Sequence, residues 1–142
     1  MATAKWSTLS ARTNVTLSSV NGLANGSTSG LMTYDNSTLG DMYALVEVAL
    51  GSITPTTGGS LTLRVYPTAN AGAVVPDDVG AIGGGESYTL PVTTSATAKV
   101  LIFRIGLLAK VSHRLQITNN MGVAISGASN TINVTGYNEE IA

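Results

Sequence analysis

The 142-residue chain predicts an all-β fold: a two-sheet antiparallel sandwich of about eight strands, of jelly-roll type, with extended termini and one long loop. Three observations carry this. Apolar and polar residues alternate with period two in a series of short runs, the pattern of strands with one face buried and one solvated. Turn signals separate the runs, at Asn21-Gly22, Asn25-Gly26, Gly58-Gly59 and Asn119-Asn120. No window sustains an apolar stripe at helical spacing. The best helical stretch, residues 15–24, is weakened by its Thr, Ser and Asn content and by Gly22.

Along the chain, the run 43–50 puts Ala44, Val46, Val48 and Leu50 on one face and Tyr43, Leu45 and Glu47 on the other. In 60–66, Leu61, Leu63 and Val65 point inward while Thr62, Arg64 and Tyr66 point out. Tyr88, Leu90 and Val92 alternate with polar residues, and Pro91 marks an edge strand or a strand end. The run 99–105 departs from alternation, being apolar on both faces from Val100 to Phe103. That pattern fits a central strand, or one that faces a second protein. Leu115 and Ile117 form the buried pair of 114–118, and Ile132 and Val134 that of 131–135, after which Gly136 is expected to release the chain from the sheet.

One domain accounts for the whole chain, with an N-terminal arm at 1–14 and a C-terminal tail at 136–142. Residues 67–85 form a connection long enough to be functional. Its Val74, Val75, Val79 and Ile82 fit either an arm that packs on a partner or a loop that packs on itself.

Composition narrows the chemistry. There are seven basic and eight acidic side chains, one histidine and no cysteine. Most enzyme mechanisms need a group that titrates near neutrality. His113 has no Ser or Asp at diagnostic spacing, and a single histidine makes neither a zinc site nor a proton relay. The acidic sets Asp77, Asp78, Glu86 and Asp35, Asn36, Asp41 match no calcium-loop pattern. Gly83-Gly84-Gly85 lacks the Lys-Ser/Thr and the helix of a phosphate loop. The expectation is a non-enzyme with no cofactor and no metal. A net charge of −1 gives no footprint for nucleic acid or an anionic membrane. No run reaches the roughly 18 apolar residues of a span, and no signal peptide is expected from the first residues. The four N-x-S/T triplets, at Asn14, Asn25, Asn36 and Asn133, follow from an Asn/Ser/Thr-rich composition.

So few charges on a chain that is 44% hydrophobic predict a surface partly covered by partners. Together with the two-faced run at Val100–Phe103 they predict a homo-oligomer, a dimer ahead of a trimer. Lys99, Arg104, Lys110 and Arg114 crowd four basic residues into one stretch, against acids at Asp77, Asp78, Glu86, Glu139 and Glu140. This asymmetry can orient contacts between proteins. Tyr137 offers a large apolar body with a polar tip near the C-terminus, and Trp6 is the sole tryptophan. The candidate partner-binding residues are therefore Trp6, Val74, Val75, Ile82, Arg104, Tyr137, Glu139 and Glu140.

Four stretches carry a resemblance: 23–27 (Leu-Ala-Asn-Gly-Ser), 34–37 (Tyr-Asp-Asn-Ser), the 43–50 strand with Gly51, and 119–123 (Asn-Asn-Met-Gly-Val) leading to 129–131 and 137–139. In order and spacing they resemble jelly-roll cement (decoration) proteins on the outside of tailed-bacteriophage heads. The resemblance runs from about Thr13 to Glu140, and the 67–85 stretch departs from it. It implies a virion protein made in the host cytoplasm that binds the major capsid protein across subunit junctions and stabilises the shell. The alternative is a receptor- or carbohydrate-binding β module of a phage tail or spike.

Overall fold

A computed structural model describes residues 4–68, 85–107 and 111–141. Among them the chain forms ten strands and no helix: β1 (Ala4–Trp6), β2 (Thr13–Val15), β3 (Met32–Tyr34), β4 (Tyr43–Ile53), β5 (Ser60–Pro67), β6 (Glu86–Pro91), β7 (Thr97–Gly106), β8 (His113–Asn120), β9 (Thr131–Tyr137) and β10 (Glu139–Ile141). They pair from the outside in. β1 lies against β10, β2 against β9, β3 against β8, β4 against β7 and β5 against β6, all antiparallel. The chain is thus one long hairpin whose tip is the β5–β6 connection. Two further pairings, β4 with β9 and β5 with β8, roll it into facing sheets of order β2-β9-β4-β7 and β3-β8-β5-β6. This is jelly-roll connectivity, with β1 and β10 added as a terminal ribbon.

The expected alternation builds the core. Ala44, Val46, Val48 and Leu50 of β4, with Ile132 and Val134 of β9 beside them, pack in one core with Leu61, Leu63 and Val65 of β5 and Leu115 and Ile117 of β8. Val20, Leu23, Met121 and Ile125 close one end. Three expectations need correction. The run at Val100–Phe103 is not a central strand: β7 is an edge, with Leu101 and Phe103 in the core and Val100 and Ile102 facing outward. β4 takes the central place because it can pair on both sides, with β7 and with β9. Tyr66, expected to point out, is buried, and its ring lies where a side chain at Gly85 would go. Gly136 does not release the chain: it is paired with Ala44 inside β9, and β10 then continues to β1.

Loops are clamped by asparagines. The Asn36 side chain acts as a backbone surrogate, donating Nδ2 to Asp41 O (2.7 Å) and accepting the Asp41 N–H at Oδ1 (2.9 Å). Asn119 donates to Leu23 O and Val123 O and accepts from Met121 N–H. Asn130 accepts from Gly51 N–H at 3.0 Å and donates to Asn21 Oδ1 and Ser126 O. All three are buried, and all of these bonds but the one to Asn21 satisfy backbone groups that would otherwise be costly to enclose. Lys99 serves similarly at the β6–β7 turn. Its ammonium donates to Ser95 O, to Ser95 Oγ (2.9 Å) and to the hydroxyls of Thr97 (3.3 Å) and Thr93 (3.4 Å).

Asp41 ties the terminal segments to the sandwich. Its carboxylate accepts from Ser10 Oγ (3.1 and 3.0 Å) and from Asn138 Nδ2 (3.3 Å). A side-chain carbon on Gly136 would lie 1.8 Å from Asp41 Oδ2. Gly136 is therefore required by this close approach, even though its backbone conformation is ordinary. Gly136→Ala is expected to displace Asp41 and destabilise the fold by about 2 kcal/mol, measured by urea unfolding, as overpacking of a tight site does.

The single histidine supplies a pH signature. His113 is 2% exposed and burial holds its pKa below the usual value of 6.5, against a weaker opposing bond with the Val111 backbone. The unfolded chain then binds a proton that the folded chain resists. Stability is complete above about pH 6.5 and falls as the pH drops from there toward the lowered folded value. Asp35, whose carboxyl is held low by hydrogen bonds from Ser37 and Ser112, adds stability that is present throughout this range and is lost only as the pH falls below its ordinary 3.8. Urea midpoints between pH 7 and 5 should decline in the wild type and be flatter in His113→Asn.

Candidate interaction surface

The outer face of the β2-β9-β4-β7 sheet is assembled in rows fixed by register. Ala49 lies between Val100 and Thr131, Glu47 between Ile102 and Asn133, Leu45 between Arg104 and Thr135, and Tyr43 between Gly106 and Tyr137. Alternation puts Val100, Ile102, Leu45 and Ala49 on this face because their neighbours fill the core. Its polar part is self-satisfied: Arg12 pairs with Glu47, and Asn14 Nδ2 donates to Asn133 Oδ1 at 3.2 Å. What remains is a mostly apolar strip running from Val100 to the rings at the far end.

Those rings form a cluster drawn from three distant parts of the chain. Tyr43 and Tyr137, directly opposed in β4 and β9, stack with centroids 5.5 Å apart at 22°. Trp6 stands edge-on to both, at 5.8 Å from Tyr43 and 5.5 Å from Tyr137. The Arg104 guanidinium lies 5.6 Å from the Trp6 ring centre and 6.0 Å from that of Tyr43. Beside them opens a groove of about 340 Å³ lined by Trp6, Ser7, Leu9, Leu45, Arg104 and Tyr137. Trp6 and Leu9 are more than half exposed. Each aromatic pair contributes on the order of 1 kcal/mol beyond burial, and the cation–π contact about 0.5–1 at an exposed site.

Trp6 reaches this place because residues 4–15 run antiparallel along 132–141. Beyond the β2–β9 pairing, Ser10 N–H donates to Gly136 O (2.8 Å), Ser7 N–H to Asn138 O (2.7 Å) and Asn138 N–H to Ser7 Oγ (2.8 Å). β1 then pairs with β10, setting Trp6 opposite Glu139.

Of the sequence-predicted partner residues, Trp6, Arg104 and Tyr137 come together in the ring cluster, and Glu139 and Glu140 lie exposed on the ribbon behind it. Glu140 faces Lys5 at 3.8 Å, an exposed pair of small energetic consequence. Val74, Val75 and Ile82 lie outside the described residues, as do Lys110, Asp77 and Asp78. The three described residues of the basic stretch do not form one patch: Lys99 turns inward, Arg104 sits on one sheet, and Arg114 bonds Thr33 on the other. Sequence reasoning missed Leu9, Leu45 and the role of Tyr43. The outward set of the 43–50 run, apolar at two of its three named positions, was the signal for the last two.

Asp35, Asn36 and Asp41 are committed to loop bonds, and among the described residues no three His, Cys, Asp or Glu side chains converge as metal ligands. Tyr34 is pushed up to about 12 by burial, then by the carboxylates of Asp41 and Asp35, so its phenol stays protonated. No helix among the described residues is long and apolar enough to cross a membrane.

The two outer rings of the cluster differ in burial. Tyr137 is 8% exposed and Trp6 55%. Tyr137→Ala should lower unfolding stability by about 3 kcal/mol, and Trp6→Ala, which loses two ring pairs and a cation–π contact at an exposed site, by about 2. Deleting residues 139–142 unpairs β1. It should shift the emission of the sole tryptophan to the red and lower the melting transition about as much as Trp6→Ala does.

The chain matches no protein-family model, and no curated protein matches it significantly.

Proposed function

We propose that this chain is a structural virion protein that binds the outside of an assembled phage head and cements neighbouring major capsid subunits. The observation that carries the reading is an aromatic, cationic and apolar surface: Leu45, Val100, Ile102 and Arg104 on the outer sheet face, with Trp6 and Leu9 of the terminal segment beside them. Large rings and arginine are the side chains that concentrate binding energy at protein interfaces. The sheet holds them in place before binding, so little ordering entropy is lost on docking. The ordered resemblance of residues 13–140 to cement proteins supplies the identity of the partner, and the sparse titratable inventory favours contact over turnover. On this reading the protein is made in the host cytoplasm and ends on the capsid exterior.

One observation favours a second reading. The Trp6 ring borders a groove beside a guanidinium, an arrangement that also suits the face of a sugar ring in a tail or spike module.

Purified particles distinguish the two. A cement protein should approach the copy number of the major capsid protein, and Trp6→Ala or Arg104→Ala should be displaced by wild type in competition for stripped heads. His113→Asn, altered only inside the core, should compete equally. A copy number of a few per particle, with binding abolished by free saccharide, would replace the capsid reading with the second one.

A further inference from the structure

The two sheets have four outer edges, and they are not alike. β2 and β3 are three residues long. β6 ends in Pro91 and leans toward the opposite sheet, where the Tyr88 hydroxyl accepts from the Gly106 N–H at 3.4 Å. Short strands, prolines and covering contacts are the ways proteins prevent sheets from joining edge to edge. β7 is ten residues long and has no proline, and the Tyr88 contact meets it at its last residue, Gly106, four residues from Ile102. Its outward residues Val100 and Ile102 are 63% and 55% exposed.

Register fixes where its backbone groups point. Leu107 donates its N–H to Met42 O at 2.8 Å, so the groups of Leu101, Phe103 and Ile105 are directed at β4. Those of Val100, Ile102 and Arg104 are directed away from it. The Gly106 N–H, reaching out to Tyr88, has the same sense.

We propose that β7 is a self-association edge, through which two copies pair antiparallel about a two-fold axis at Ile102 and join their four-stranded sheets into one. The occupant is a second copy because this strand is complementary to itself. In that register Ile102 faces its own counterpart, and Val100 lies beside the aliphatic stem of the counterpart of Arg104. Each of these pairs exchanges N–H···O bonds in both directions. Like charges do not oppose: the two Arg104 positions are roughly 14 Å apart along the strands. Each guanidinium is moreover drawn over its own Trp6 and Tyr43. A two-fold contact needs only one such patch. The pairing stands independently of what the sheet face binds.

The chain has no cysteine, so a single introduced thiol reports the register. Across the proposed axis, Ile102→Cys brings its Cα atoms to about 5.5 Å, within disulfide reach. Val100→Cys leaves them about 14 Å apart. Wild type should sediment as a dimer. Mild oxidation should convert most of Ile102→Cys, and little of Val100→Cys, to a covalent dimer on a non-reducing gel. Ile102→Lys should sediment as a monomer with an unchanged β circular-dichroism spectrum. A wild-type monomer at high micromolar concentration would overturn the proposal. So would equal cross-linking of the two cysteine variants, or a dimer that survives Ile102→Lys.

Discussion

Nested antiparallel pairing is the constraint from which the rest of this molecule follows. Because each strand pairs with the one equally far from the hairpin tip, the first and last described strands must meet, and they do so at β1 and β10. Residues far apart in sequence thereby become neighbours: Trp6 comes to rest on Tyr137, and Ser10 bonds across to Asp41. The aromatic cluster is a product of closure, not of local sequence. The same constraint makes nearly every strand contact non-local. Loop-closure entropy is then met before most packing is gained, which places this fold among slow folders of high contact order.

A roll of this kind leaves many chain reversals at its two ends, and their backbone groups must be satisfied. Here asparagine amides do most of that work in place of ion pairs. Asn36 bonds both backbone groups of Asp41, Asn119 and Asn130 each bond backbone of two separate segments, and Asn138 accepts the Met42 N–H at 2.7 Å while donating to Asp41. A neutral amide offers both donor and acceptor without the desolvation cost of burying a charge. This is how a chain with so few charged residues can close its loops. It also explains the resemblance motifs physically. Asn36, Asn119 and Asn130 lie inside the fold, so the stretches that carry them speak to architecture.

Most of the architecture was legible because period-two burial is a local property. The alternations of β4, β5, β8 and β9 each identify the correct inner face, and Pro91 marks the end of an edge strand as expected. What local pattern could not supply was position within a sheet. Val100–Phe103 reads as a strand buried on both sides, yet β4 outcompetes it for the central place and leaves Val100 and Ile102 in the open. Gly136 reads as a terminator, yet it is small because Asp41 needs the room. The site was half legible for the same reason. Trp6, Arg104 and Tyr137 stand out by residue type, but their meeting depends on pairing over more than a hundred residues. Leu9 carries no local signal at all.

The two surfaces argued from the structure reinforce one another geometrically. Edge-to-edge pairing through β7 continues a sheet instead of stacking one on another, so it leaves the outer face uncovered. Two ring clusters would then lie on one extended surface, each with Trp6 and Arg104 presented in the same sense. Binding by the first cluster would raise the effective concentration of the second, and weak individual contacts would suffice for durable attachment. That arrangement suits a target which itself repeats. It is a poor design for a single soluble ligand, where a second site on the same rigid plane gains nothing.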